Sequence, residues 1–411
     1  MSNSEAKLEG NSGDGSTVEA FEPFSPSEHL LFSMSRDGPS LESRGLERQW
    51  DGHHHKPHTW IQLAGACSSR CGSAGGASSA RGEGGVMWES LGTVGSVQVT
   101  PIQGDVTRAE DVVAAVAGTD VVIHMAGLVD VWGQNDPEVI HRVNVQGTQN
   151  VIEACVQTGT RFLVYTSSME ALGPNKKRQP FYRGNEDTPY EVIHTEPYPR
   201  SKALAERLVL EANGRKVRGG LPLVTCALRP TGIFGEGHEL MLSFYEKAQN
   251  TGGWLLRSIP PAVEHGRVYA GNVAWMHTLA ARELGSRPST MGGQVYFCYD
   301  DSPYKSYEDF NMEILGRCGI RILGTRPLLP YCLLFFLATL NAFLQWLLRP
   351  LVVYTALLNP YTLATANTTF TVCTDKAQRH FGYQPLYGWE ESRDRTVSWV
   401  KTKKGCSGPR H

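Results

Sequence analysis

The sequence predicts an α/β fold built on a doubly wound, parallel sheet with a smaller second lobe. Three observations carry this. The apolar runs 120–126 (DVVIHMA), 161–168 (RFLVYTSS) and 223–230 (LVTCALRP) read as strands buried on both faces. Between them, apolar residues recur every three and four positions, the spacing of a helix face. Strand and helix alternate at lengths that suit βαβ units.

In chain order, 1–87 differs from the remainder. It is rich in Ser, Gly and Arg, has few apolar clusters, and is expected to be a disordered leader. Within it, 58–66 (HTWIQLAGA) reads as a lone strand. The tract DGHHHKPH reads as solvated rather than as a metal site. The glycine-dense stretch 71–85 (CGSAGGASSARGEGG) lacks GxGxxG spacing and is read as leader, not as a phosphate loop. From 88 the pattern is regular. A strand is expected at 96–102 and a helix at 108–118, then the strand 120–126. Ile140, Val143, Gly147, Val151 and Cys155 make 140–158 a helix. After the strand 161–168 come a polar loop, a helix at 198–212 and the strand 223–230, closed by proline. The catalytic region is placed at 88–320, with the substrate lobe interleaved and completed by 351–411.

Residues 328–348 (LLPYCLLFFLATLNAFLQWLL) carry no charge and are bracketed by Arg326 and Arg349. Twenty-one helical residues would reach about 30 Å, the thickness of a bilayer core. The segment 326–350 is therefore expected to associate with a membrane. Pro330, Asn341 and Gln345 keep a buried core helix as the competing reading.

Totals narrow the function. Among 411 residues, 39 are basic and 41 acidic, a net charge of −2, which gives no reason to expect a nucleic-acid partner. Nine cysteines, scattered and without a CxxC pair, argue against a disulfide framework or zinc site and for a reducing compartment. No metal is expected. The polar start MSNSEAKLEG has no signal-peptide pattern.

The chemistry concentrates at strand ends, where ligands bind such sheets. YPRSK puts Tyr198 and Lys202 four residues apart on one face of a helix. A nearby ammonium favours the phenolate and brings a phenol of pKa about 10 towards working range. The strand end TSSME offers a hydroxyl, Ser167 or Ser168, to a substrate oxygen. Asn144 stands in a helix interior that otherwise wants apolar residues. Gly127 follows a strand, where backbone can approach a cofactor. Asp105 follows another. Each has a plainer reading: a surface pair, a cap, a turn, or for Asp105 the N-cap of the next helix.

Taken together, IQGDVT, VVIHMAGLVDVWG, VNVQGTQNVIEAC, FLVYTSSME, YPRSKALAE, LRPTGIFGEG, RVYAGNVAWMH, QVYFCYDDSPY and FTVCTDKAQRHFGY resemble the 3β-hydroxysteroid dehydrogenase/Δ5-isomerases. These are extended short-chain dehydrogenases with a Rossmann-like sheet. The likeness runs from about residue 88 onward and sits nearest the members acting on C27 sterols in bile-acid synthesis. It implies NAD as cofactor, a sterol substrate and the endoplasmic reticulum membrane, and it is compatible with a homo-oligomer. It also implies roles. Tyr198 is the acid/base, Lys202 lowers its pKa and holds the nicotinamide ribose, and Ser168 is the catalytic hydroxyl with Ser167 the near alternative. Asp105 is the adenine contact, and Ala126 and Gly127 are backbone contacts to the cofactor. Asn144 is the buried structural asparagine. Pro230, in RPTGIFG (229–235), lies in the loop joining cofactor and substrate sites.

One departure stands out. The family opens with a strand, TGGxGFxG and a helix, and that first strand–helix–strand unit is expected to be missing here. The acidic residue that would select NAD over NADP is missing with it. Two further readings follow. The chain could be a membrane-bound, non-catalytic relative. It could instead be a soluble dehydrogenase or epimerase with 328–348 as a core helix.

Overall fold

The computed structural model of the chain describes residues 29–35, 60–65, 93–94, 97–175, 177–348, 351 and 354–406. Its centre is a sheet of eight strands: β1 (His29–Ser35), β2 (Trp60–Gly65), β3 (Thr93–Val94), β4 (Val97–Gly104), β5 (Val121–His124), β6 (Phe162–Thr166), β7 (Val224–Pro230) and β8 (Gln294–Cys298). Their order is β8-β7-β6-β5-β2-β1-β4-β3. β2, β5, β6, β7 and β8 run parallel, with Ile61 opposite Val122, Val122 opposite Leu163 and Leu163 opposite Thr225.

Residues 1–87, expected to lie outside the fold, contribute β1 and β2. β2 falls within the stretch 58–66 that reads as a strand in the sequence. It takes the position beside β5, and β1 fills the place between β2 and β4, antiparallel to both. Among the described residues, the first positions of the sheet are thus taken by an antiparallel pair rather than by a strand–helix–strand unit. Antiparallel neighbours need no crossover helix, so two strands from a leader can close the gap. The stretch 71–85 and the His tract lie outside the described residues.

β5, β6 and β7 are buried on both faces because helices cover each side. α1 (Ala109–Val116), α2 (Gly147–Thr158) and α3 (Pro197–Glu211) pack Val112, Val151, Cys155, Ala205 and Val209 on Val122, Leu163 and Ala227. α4 (Ala270–Ser286) packs Val273, Met276 and Leu284 on the opposite face, against Val121, Ile123, Val164 and Cys226. Alternate residues of one strand serve different cores, which is why the runs look continuously apolar.

Among the described residues, three short parallel pairs stand outside this sheet: Trp254–Leu256 with Arg321–Leu323, Gly232–Phe234 with Arg267–Tyr269, and Phe181–Gly184 with Phe370–Val372.

The apolar segment forms α5 (Tyr331–Leu348), followed by α6 (Pro360–Ala366). The core-helix reading fails here: only 11% of α5 is buried. One stripe faces the body. Leu334 and Ala338 pack on Leu363 of α6. Asn341 Nδ2 donates to the Leu358 carbonyl at 2.7 Å, and Gln345 Nε2 to the Trp132 carbonyl at 3.0 Å. The polar residues that hinted at a core helix instead dock an exposed one. Its other face shows Phe336 and Trp346, 62% and 68% exposed.

α2 crosses close to the β4–α1 turn. A Cβ on Gly147 would lie 2.9 Å from Val106 Cγ2. Gly147→Val should cost about 1–3 kcal/mol through overpacking. Denaturant unfolding of the two proteins would measure it.

Candidate active site

The candidate residues meet along α3. Pro197 opens the helix, and Tyr198, Ser201, Lys202, Ala205 and Glu206 form its buried face. Tyr198, Lys202 and Glu206 stand one turn apart in succession, so phenol, ammonium and carboxylate share a line.

Lys202 is 6% exposed. Its Nζ donates to the Thr166 carbonyl at the end of β6, 2.7 Å away, and lies 4.8 Å from the Tyr165 ring centre. Burial pushes its pKa down to about 8, against the pull of the Glu206 carboxylate. One of its three N–H donors is spent on Thr166, which leaves others for a ligand.

Asn144 ties the end of β5 to this helix. The backbone makes one wide π-type turn at Arg142–Gln146, an irregularity common at functional sites. From it, Asn144 Oδ1 accepts from Leu128 N at 2.7 Å. Its Nδ2 donates to the Leu128 carbonyl and to Ser201 Oγ, both at 2.9 Å. Gly127 sits in the corner so made. A Cβ there would be 3.3 Å from Asn144 Oδ1 and 3.7 Å from Lys202 Nζ. Glycine thus keeps the strand end open beside the ammonium. Ala126, before it, is buried.

The two serines separate by their partners. Ser167 Oγ donates to Glu206 Oε2 at 2.6 Å, and Glu206 also takes two hydrogen bonds from Arg229, at 2.6 and 2.8 Å. Ser167 is therefore committed to a buried network. Ser168 is half-buried, and its Oγ accepts from Glu170 N at 3.1 Å. Its own O–H remains free to donate elsewhere. At the end of β6, Thr166 Oγ1 lies 2.7 Å from His277 Nε2. Burial pushes His277 down to about 4, so the ring is neutral; Nδ1–H donates to the Val273 carbonyl and Nε2 accepts from the threonine.

Asp105 and Pro230 close the row. β4 runs in the same direction as β5, so Asp105 lies on the same edge of the sheet. Gly65 and Gly104 both register with His29, which puts Asp105 two strands beyond the end of β2 and three beyond β5, roughly 14 Å from the lysine's corner at the usual strand spacing. Asp105 is not an N-cap: that position belongs to Arg108. Its Oδ1 accepts from Thr107 N at 2.8 Å in a two-residue turn. Pro230 is the buried last residue of β7, opposite Cys298 of β8.

Two carboxylates escaped the sequence reading. Glu206 was visible only as the residue four after Lys202. Glu170 gave no signal, because its partner is distant in sequence: the Tyr361 hydroxyl donates to it. Burial pushes the Glu170 carboxyl up to about 7, opposed by that hydrogen bond.

Comparison with known proteins follows the same lines. Residues 87–329 match the 3-beta hydroxysteroid dehydrogenase/isomerase family. The chain belongs to this family. It is 74% identical over 313 residues to human 3 beta-hydroxysteroid dehydrogenase type 7, which covers 76% of this chain and 85% of that protein. The mouse type 7 protein is 72% identical over the same length and shares. The 3 beta-hydroxysteroid dehydrogenase/Delta 5-->4-isomerase of vaccinia virus (strain Ankara) is 42% identical over 300 residues, 73% of this chain and 84% of that one. A crystal structure of MoeE5 in complex with UDP-glucose and NAD superposes with a TM-score of 0.51 at 20% identity, covering 74% of this chain and 86% of that one. A dTDP-glucose 4,6-dehydratase from Streptomyces venezuelae gives 0.51 at 17%, covering 74% and 80%. At those identities the structures speak for the extended short-chain dehydrogenase fold alone. This is therefore a 3β-hydroxysteroid dehydrogenase/isomerase-family enzyme with a dinucleotide-binding sheet.

Two outcomes follow from the geometry. Ser167→Ala should lower unfolding free energy by about 1.5–3 kcal/mol, the worth of a hydrogen bond to a buried charge; a denaturant series reads it. Lys202 binds its proton to about 10.5 when unfolded and only to about 8 when folded. Its contribution to stability is therefore present above 10.5 and lost as pH falls through 8. Unfolding midpoints should rise between pH 8 and 10 more steeply in the wild type than in Lys202→Met.

Proposed function

We propose that this enzyme oxidises the 3β-hydroxyl of a C27 Δ5 sterol with NAD, then moves the ring double bond from Δ5 to Δ4, at the endoplasmic reticulum membrane. The observation that carries the reading is the corner where Lys202, Asn144 and Gly127 meet at one strand end, with Tyr198 one turn from the lysine.

The residues suit the nicotinamide half of the cofactor. Lys202 has donors to spare for a ribose diol, and Gly127 leaves the backbone accessible. Asp105, three strands away on the same edge, suits the adenine half. Ala126 and Pro230 would line the cofactor between and above. NAD supplies the hydride acceptor for C3 when it is bound.

The chain's own residues manage the protons. Tyr198 Oη takes the proton from the 3β-hydroxyl, helped by the Lys202 charge. Ser168 Oγ–H donates to the same substrate oxygen and holds it in place. Once C3 is a ketone, its C4 hydrogens are acidic. Glu170, with a pKa near 7, takes a proton from C4 and returns it to C6. The Tyr361 hydroxyl steadies its carboxylate.

The membrane belongs to the same reading. α5 is docked along its length by Leu334, Ala338, Asn341 and Gln345, so it lies flat on the body with an apolar outer face. That arrangement suits a helix embedded in one leaflet.

A non-catalytic, sterol-binding relative is favoured by one observation: the antiparallel β1 stands where a strand–helix–strand unit would carry GxGxxG. Titration with NAD separates the two. Micromolar affinity supports turnover, and no measurable binding supports the second reading.

Tyr198→Phe should lower kcat/KM for sterol oxidation by about 10²–10⁴. Glu170→Gln should spare NADH formation, slow the appearance of the conjugated ketone at least about 10²-fold, and let the Δ5-3-ketone accumulate. Following NADH at 340 nm and the enone near 240 nm in one reaction checks both.

A further inference from the structure

A cavity of about 560 Å³ lies where α5 and α6 meet the catalytic body. It falls inside the usual range for small-molecule sites, about 300–1,000 Å³. Its outer wall is Tyr331 and Phe335 of α5, the helix whose free face is apolar. Its inner wall includes Tyr361 and Pro199, the residue after Tyr198. The cavity therefore begins at the membrane helix and ends against the catalytic turn.

Two further observations bear on what it takes. Thr365 lines it, is only 9% exposed, and its Oγ1 is buried with no hydrogen-bond partner. The wall sets Ile193, Pro199, Phe335 and Pro360 beside Asn175, Arg178, His194 and Glu196. A buried, unpaired hydroxyl in such a mixed wall suits a largely apolar ligand that carries a hydroxyl. A second cavity, of about 590 Å³, shares Glu196, Pro360 and Tyr361 with the first. Tyr361 thus lines both, and its hydroxyl is the one bound to Glu170.

We propose that the cavity between α5 and α6 is a sterol-binding passage from the bilayer to Tyr198, with Thr365 Oγ1 taking the sterol hydroxyl and Tyr361 closing its inner end. This rests on the sterol reading above, but it concerns the route rather than the chemistry. Nothing in the fold requires a hollow here. α5 is held by its own stripe of contacts, and a soluble substrate would need no opening beside a membrane helix.

The test uses the full chain in liposomes, with a 3β-hydroxy-Δ5 sterol in the bilayer. Ala364 lines the cavity and carries none of the groups that handle protons. Ala364→Trp fills it and should lower kcat/KM at least about tenfold while NAD affinity stays within about twofold. Ala364→Cys reports occupancy directly. Sterol should slow its modification by a methanethiosulfonate at least about fivefold. Modification of the exposed Cys373, read in the same digest by mass spectrometry, should not change. Labelling of Ala364→Cys that ignores sterol would overturn the passage, whether or not the chain turns over. So would wild-type kcat/KM in a folded Ala364→Trp. Sterol protection in a chain that produces no NADH would instead keep the passage and remove the proposed reaction.

Discussion

The arrangement of the site depends on one buried carboxylate. Glu206 takes two hydrogen bonds from Arg229 on β7 and one from Ser167 after β6, and its charge acts on Lys202 one turn away. It thus fixes α3 to the ends of two strands and supports the cation beside the tyrosine. Arg229 and Glu206 are 13% and 7% exposed, so both charges are largely desolvated. A pair of this kind gains little over an apolar contact, but removing one partner strands the other at a cost of about 3–5 kcal/mol. Its value lies in position: a bidentate fork admits few rotations of the helix about its axis.

Asn144 performs the matching task at the other end. A wide turn within a helix is costly, and here it lets one side-chain amide serve both the backbone at Leu128 and the hydroxyl of Ser201. The strand end that carries Gly127 and the helix that carries Tyr198 are joined through that amide. Polar groups buried at this density must all be satisfied, which leaves each a single orientation. The serines show the consequence. Adjacent in sequence and alike in chemistry, one is consumed by the network and the other is left facing outwards.

The apolar helix follows different physics. α5 has an uncharged, mainly apolar sequence, yet Leu334, Ala338, Asn341 and Gln345, which hold it to the body, are spaced so that they fall on one stripe. Two of the four are amides that bind backbone carbonyls. The helix is thereby attached along its length with most of its apolar area exposed, the kind of patch that marks an interaction surface.

Sequence alone determined the parallel sheet from β4 onward, the helices between its strands, and the pairing of Tyr198 with Lys202. These rest on short-range periodicity, and residues four apart on a helix share a face whatever surrounds them. It also marked Asp105, Gly127 and Pro230 as strand-end residues, because strand ends are where apolar runs stop. Only the tertiary structure gave Ser167 and Ser168 different partners, 39 residues and two residues away. It alone showed Glu170, whose partner Tyr361 is 191 residues distant. It alone showed β1, and the pairing of β1 and β2 within the sheet, because strand pairing is a contact between distant segments that leaves no local period. The exposure of α5 was decided there too: Asn341 and Gln345 read the same in a core helix and in one docked by two amides, until the carbonyls they bind are in place.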